Sequence, residues 1–499
     1  MKKHIVLTNL ILILVFGAVG QAADITTLTQ LKTAAAAGGT YTIAPGTYTL
    51  DADLTFTANI TILHDGNAGD VIIDGNNLFR VVSQNNTAVF TGLSDTKRIE
   101  FERGDTSVFD VTSTSAATTA TFTYCTFHDS HSGNGLQVNE DPNKNVTVSC
   151  TNCDSTGNAA DGFSLLSGNP NSKIVTMNLI NCNGYLNGTI SRDQGATCHS
   201  AGQYLNITGG NYYSNKGQGI AVVGGQVAMN GVSLWNNGQA TPGNQADLDL
   251  ENAGTIAYVD DCNFSGLNAS TGTGYSIFTT ATYTSITNCI FRDGVGAQGH
   301  TIYSYPGYAY IANNIFKSVS KGTDLYCVIL SSGVCINNDF YDCTGGIDIS
   351  NATGSLVRNN IFHTCSSRAI CADNYEYRYN KANGYNYIYN VTNPFCPRSQ
   401  QQATDIIGID PQFTDAANGD FSLKPTSPCL NAGKPTVNNG FTSMGAWQPH
   451  SLGLEECLFN LAGDLNDDCK VDFGDFAIMV ENWLIDCCTN PSDPACVPK

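Results

Sequence analysis

The sequence predicts an all-β protein, a right-handed parallel β-helix of stacked coils, over most of its 499 residues. Three observations carry that prediction. A motif of Cys or Asn, any residue, then Phe recurs at Cys262-Asn263-Phe264, Cys289-Ile290-Phe291, Asn314-Ile315-Phe316, Asn338-Asp339-Phe340 and Asn360-Ile361-Phe362, with Phe-to-Phe spacings of 27, 25, 24 and 22. An earlier copy stands at Cys125-Thr126-Phe127. A second strand-like family runs in step, as in Gly135-Leu136-Gln137-Val138, Gly162-Phe163-Ser164-Leu165, Gly219-Ile220-Ala221-Val222 and Asp247-Leu248-Asp249-Leu250. Finally, no helical 3.6 period separates these segments. Two or three short strands at a near-constant period describe a solenoid. A propeller blade needs ~40 residues or more, longer than this repeat.

The individual elements follow from the stacking. Coils lie one inter-strand distance apart, about 4.8 Å, so equivalent positions sit on top of one another. Asparagine at a coil corner hydrogen-bonds to its neighbours above and below. Cysteine and phenylalanine fill a dry interior column; many of the 19 cysteines recur at coil spacing, and Cys262 and Cys289, exchanged for Asn in later coils, read as small packed residues rather than bridges. The odd total leaves at least one thiol free or paired between chains. The motif places the regular coils between about residues 120 and 375. Before them, Leu28, Leu31 and the run Ala34 to Ala37 predict a short amphipathic helix from Thr26 to Ala37, suited to cover the end of a solenoid.

Charge and the N-terminus bear on location. Met1-Lys2-Lys3-His4, an apolar run to Val19 and the small residues Gly20, Ala22 and Ala23 form a secretory signal pattern, residues 1–22, cleaved after Ala22 or Ala23. The protein is therefore expected to be secreted or held at the cell surface. Removal of Lys2 and Lys3 takes the net charge from −20 to −22. That balance argues against nucleic acid and against anionic lipid. An acidic polysaccharide needs a local basic groove or a bridging cation such as Ca²⁺.

Two stretches add a resemblance. LKTAAAAGGTYTIAPGTYTL followed by VIIDGNNLFRV, and later IDPQFTDAANGDFSLKPTSPCLNAG before MGAWQ, resemble the two ends of pectate-lyase-like β-helix proteins. The resemblance covers roughly residues 24–448, within a β-helix domain expected over residues 23–448, and implies the fold and a polysaccharide partner. The paired-Asp and Gly-His-Gly pattern of polygalacturonases and the Asp-Pro-His-Asp of alginate epimerases are absent, so no catalytic role is carried over.

The repeat breaks near His450, and residues 455–499 read as a separate module. Asp464, Asn466, Asp468, Asp472 and Asp475 stand at EF-hand oxygen positions, with Lys470 offering its backbone carbonyl. The loop and the stripe Phe476, Met479, Val480, Trp483 and Leu484 resemble one dockerin repeat, which implies bound Ca²⁺ and a cohesin-like or cell-surface partner. Cys469 stands where the loop normally has glycine, and only one repeat is present. Cys469, Cys487, Cys488 and Cys496 are suited to staple so small a module.

Alternation along the second strand family selects a candidate groove. Its outward set includes Gln137 and Asn139, then Asp161 and Ser164, then Asp193, Thr197 and His199, then Lys216 and Gln218, then Asp247, Asp249 and Glu251. Three carboxylates on one strand face are expected to raise one another's pKa, which suits acid–base work or Ca²⁺. An outward histidine at His199 can move protons, and Lys216 and Arg192 are the nearest cations for a lyase. The residues thus point to a lyase or hydrolase of an acidic glycan, or to a non-catalytic adhesin or spacer with a calcium-dependent docking module.

Overall fold

The computed structural model describes residues 24–138, 144–166, 174–189, 193–200, 202–238, 245–266, 274–293, 300–319, 326–350, 355–372, 383–397, 399–434 and 443–446. The predicted signal segment 1–22, Asn139, Arg192 and the calcium-loop module with Asp464, Asn466, Asp468, Lys470, Asp472 and Asp475 lie outside the described residues. The chain divides into two units, Met1–Leu205 and Asn206–Lys499. Each is a parallel β-solenoid with three sheets, and each is taken by itself.

The first unit opens with the helix Leu28–Ala37. It starts later than Thr26 because Thr27 is its N-cap, accepting the Gln30 N–H on Oγ1 at 3.3 Å. Leu31, Ala34 and Ala35 are its buried face. Gly38 ends it at φ 68°, where an added Cβ would meet the Asn59 carbonyl oxygen at 2.6 Å. Only glycine suits that position.

The first sheet of this unit is built from Gly39–Ile43, Ile60–His64, Thr87–Thr91, Thr118–Thr123, Val146–Thr151 and Val175–Ile180, all parallel. The second uses Gly46–Thr49, Val71–Asp74, Ile99–Glu102, Cys125–His128, Asp154–Thr156 and Asn183–Tyr185. The third uses Leu54–Phe56, Val81–Gln84, Ser107–Thr112, Asn134–Val138, Phe163–Leu165 and Ala196–Cys198. Regular coils therefore begin at Gly39, far earlier than residue 120. The motif hides them because the inward column of the second sheet reads Tyr48, Ile73, Phe101, Phe127, Ser155 and Gly184. Several side-chain sizes fill that column while neighbours adjust. Phe90, Phe101, Phe109 and Phe122 take up the space, Phe90–Phe101, Phe90–Phe109, Phe101–Phe109 and Phe109–Phe122 as edge-to-face pairs with centroids 5.0–5.4 Å apart.

In the second unit the repeat is stricter. Phe264, Phe291, Phe316, Phe340 and Phe362 stack face to face with centroids 4.7–4.9 Å apart. The corner asparagines form the expected ladder. Asn314 Nδ2 donates to Asn338 Oδ1, Asn338 to Asn360 and Asn360 to Asn386, each at 3.0 Å. The residue before each corner, Asn288, Asn313, Asn337 or Asn359, is left-handed at φ 53–58°. Asparagine tolerates that conformation better than other L-residues. The expected packing of the thiols also holds. All twelve free cysteines among the described residues are buried, and one pair, Cys371–Cys396, is a disulfide. After the last coils, the antiparallel strands Phe413–Asp415 and Asp420–Leu423 pack Phe413, Phe421 and Leu423 with Ile361 and Tyr387.

Candidate functional site

In the first unit, one outward row of the third sheet runs Val82, Asp110, Gln137, Ser164 and Thr197 in register. A side-chain bond three residues long is repeated beside it. Ser107 Oγ donates to Asp110 at 2.5 Å, Asn134 Nδ2 to Gln137 at 2.6 Å, and Ser164 Oγ to Asp161 at 3.0 Å. Asp161 thus sits at the strand entrance rather than in the outward row. Its Oδ2 also accepts from Thr197 Oγ1 at 2.9 Å, and its Oδ1 accepts the Gln194 N–H at 3.0 Å. Its own N–H donates to Asn134 Oδ1 at 2.8 Å, so the position belongs to a vertical polar ladder.

His199 Nε2 lies 3.9 Å from Asp161 Oδ2, and the His199 side chain is 38 % exposed against 6 % for Asp161. The His199 backbone N–H is fixed by Gln203 Oε1 at 2.9 Å. Asp193 completes the group. Burial, then the negative charge of Asp161, push its pKa up to about 6, with His199 opposing. Asp193 Oδ2 is buried without a hydrogen-bond partner. Three of the residues chosen from the sequence therefore converge. A carboxylate held by three donors stands beside a partly buried carboxyl and a histidine open to solvent.

The carboxylates of the second unit behave differently from the expectation. Asp249 does face outward, in register with Ala221 and Phe278. Asp247 does not join it as an open carboxylate. It is 1 % exposed, and its Oδ1 accepts from Asn237 Nδ2 at 2.8 Å at the end of a corner ladder from Asn215. Burial raises its pKa to about 7, where mutual repulsion had been the expected cause. Asp249 is also raised to about 7, first by burial and second by Glu251, while Gln218 Nε2 donates to it at 3.0 Å. Only that Glu251 contribution matches the expected like-charge effect. Lys216 is exposed on the turn before Ile220–Val223.

One cluster went unread in the sequence. On the second sheet of the first unit, His128 Nε2 lies 3.7 Å from Glu100 and 3.6 Å from Glu102, and its Nδ1 lies 2.9 Å from Asp129 Oδ2. Burial opposes its charge, but Glu100 and Asp129 prevail and lift its pKa to about 9. The signal was available, because Ile99-Glu100-Phe101-Glu102 and Cys125-Thr126-Phe127-His128 both alternate inward and outward. Among the described residues no group of three or more His, Cys, Asp or Glu side chains is placed to hold a metal ion.

No protein-family model and no curated protein matches the chain. Similar solved structures include the crystal structure of pectate lyase Pel9A, at 15 % identity and TM-score 0.30, covering 83 % of this chain and 90 % of that one. The Agl-KA catalytic domain follows at 13 % identity and TM-score 0.33, covering 79 % and 67 %. The A-module of Azotobacter vinelandii mannuronan C-5 epimerase AlgE4 has 14 % identity and TM-score 0.29, covering 78 % and 98 %. The fold assignment itself rests on the strand order and register of this chain.

Proposed function

We propose that this is an exported protein that acts on an acidic polysaccharide, with acid–base cleavage of a glycosidic bond at Asp161, Asp193 and His199. The observation that carries the reading is the carboxyl of Asp193, raised to about 6 beside the donor-held Asp161. Glycoside hydrolysis needs one carboxyl that keeps its proton and a second group that accepts one. Asp193 is the acid, protonating the leaving oxygen. Asp161, engaged by Ser164, Thr197 and the Gln194 N–H, holds a fixed negative charge that sustains the Asp193 proton and faces the cationic transition state. His199, the most open of the three, takes the proton from the attacking water.

The test is turnover. The full chain is incubated with polygalacturonate, alginate, chondroitin and neutral glycans, reading reducing ends and the ultraviolet absorbance of unsaturated products. Cleavage is expected to slow as pH rises through about 6, where Asp193 loses its proton. Asp193→Asn is expected to lower the rate by roughly 10²–10⁴. Products with absorbance would make the reaction an elimination with His199 as the base. Silence on every glycan, or full activity in Asp193→Asn, overturns the reading. The competing reading, a non-catalytic adhesin or spacer, draws on the complete hydrogen bonding of Asp161 and expects binding without new reducing ends.

A further inference from the structure

The outer face of the second sheet in the second unit carries a different arrangement. Its outward row reads Tyr213, Trp235, Ser265, Arg292 and Lys317, each in register with the next. Tyr213 and Trp235 stack with centroids 4.5 Å apart and planes 3° from parallel. One face of the indole is therefore covered by tyrosine. The other looks across Ser265, whose side chain is too short to fill its place in the row. Trp235 and Arg292 stand two strand spacings apart, about 9.5 Å. One ring with carbon contacts of about 3.5–4.0 Å on each side fits that gap.

The walls of the notch have a definite chemistry. Arg292 is exposed, and Lys317 follows it in register, with Nζ donating to the Ala417 carbonyl oxygen at 2.6 Å at the end of the strip. This is a pair of adjacent cations on a chain whose net charge is −20. Asp293, at the left-handed turn after Arg292, is the adjoining acid. Asn263 lies on the same strand face beside Ser265, and its Oδ1 is buried without a hydrogen-bond partner. An indole face and a guanidinium with a second cation behind it together suit a sugar ring that bears an anionic group.

We infer that the Trp235–Ser265–Arg292 notch binds one ring of an anionic glycan. The ring packs on the open indole face and its carboxylate or sulfate pairs with Arg292, with Lys317 adding charge. The site is separate from the Asp193 group and stands whether or not that group cleaves a bond.

Binding of hexagalacturonate, its methyl ester and a sulfated chondroitin hexasaccharide to the full chain, read by calorimetry and tryptophan fluorescence, tests this. At least one of the two anionic probes is expected to bind; since chondroitin carries glucuronate carboxylates as well as sulfate, comparison with the unsulfated chondroitin hexasaccharide separates carboxylate from sulfate. Ser265→Trp fills the notch and Arg292→Gln removes the charge. Each is expected to weaken binding by about tenfold or more while the thermal melt is kept. The inference is overturned if neither anionic probe binds, if the methyl ester binds as tightly as the acid, or if Ser265→Trp or Arg292→Gln leaves affinity unchanged.

Discussion

Replacing Asp247 by asparagine should make the protein more stable at neutral pH and leave it unchanged in acid. The side chain is 1 % exposed, and burial raises its pKa from 3.8 to about 7. In the unfolded chain the carboxyl ionises near 3.8, while the folded chain keeps its proton to about 7. Between those values the folded state binds the extra proton, so stability falls as pH rises and levels off above the folded pKa. At about 1.4 kcal/mol per pH unit, the loss amounts to about 4 kcal/mol. Asparagine keeps the shape and still accepts from Asn237 on the same oxygen position, but cannot ionise. Urea unfolding of wild type and Asp247→Asn across pH 3.5 to 8.5 should therefore give coincident midpoints at the acid end and a gap that opens up to about pH 7 and is constant beyond it. A gap of the same size in acid and at neutrality would refute the argument. So would a variant that is less stable than wild type at the alkaline end, since that would mean an ionised carboxylate with a favourable partner.

Two further outcomes follow from the same structure. His128, lifted from 6.5 to about 9, contributes on the order of 3 kcal/mol that is complete below 6.5 and lost as pH rises through 9. His128→Gln should be destabilised in urea at pH 6 and match the wild type above pH 10. Asn338→Ala removes the acceptor of the Asn314 N–H and the donor to the Ile311 carbonyl oxygen, leaving buried groups unpaired at about 1–3 kcal/mol each. Its unfolding midpoint should fall sharply, and hydrogen exchange should rise first in the coils on either side.

The solenoid was legible in the sequence where one side chain fills one structural position again and again. From Phe264 to Phe362 every coil uses phenylalanine at the same point, so the period stands out. In the first unit the equivalent column passes from Tyr48 to Gly184, and the space is shared among sheets, which no single-position motif reports. The candidate site shows the same boundary. Alternation correctly turned Asp249 outward, because it is a property of one strand. It misplaced Asp247, because the donor that draws that side chain into the corner, Asn237, belongs to the turn before the strand. His128 went unread because its charge depends on glutamates contributed by the preceding coil.

The asparagine ladder has a direction. Every amide in it accepts from the lower-numbered coil and donates to the higher-numbered one, so the amide dipoles all point the same way. Such a chain cannot end on another donor. It ends at Asp405, whose Oδ1 accepts the Asn386 N–H at 3.0 Å, just as the shorter run from Asn215 through Asn237 ends on Asp247. In both runs an acidic residue closes a one-way series of amides, which gives these two aspartates a reason to be buried that has nothing to do with chemistry on a substrate. Extending the solenoid by one coil would then require moving the aspartate along with the end of its ladder.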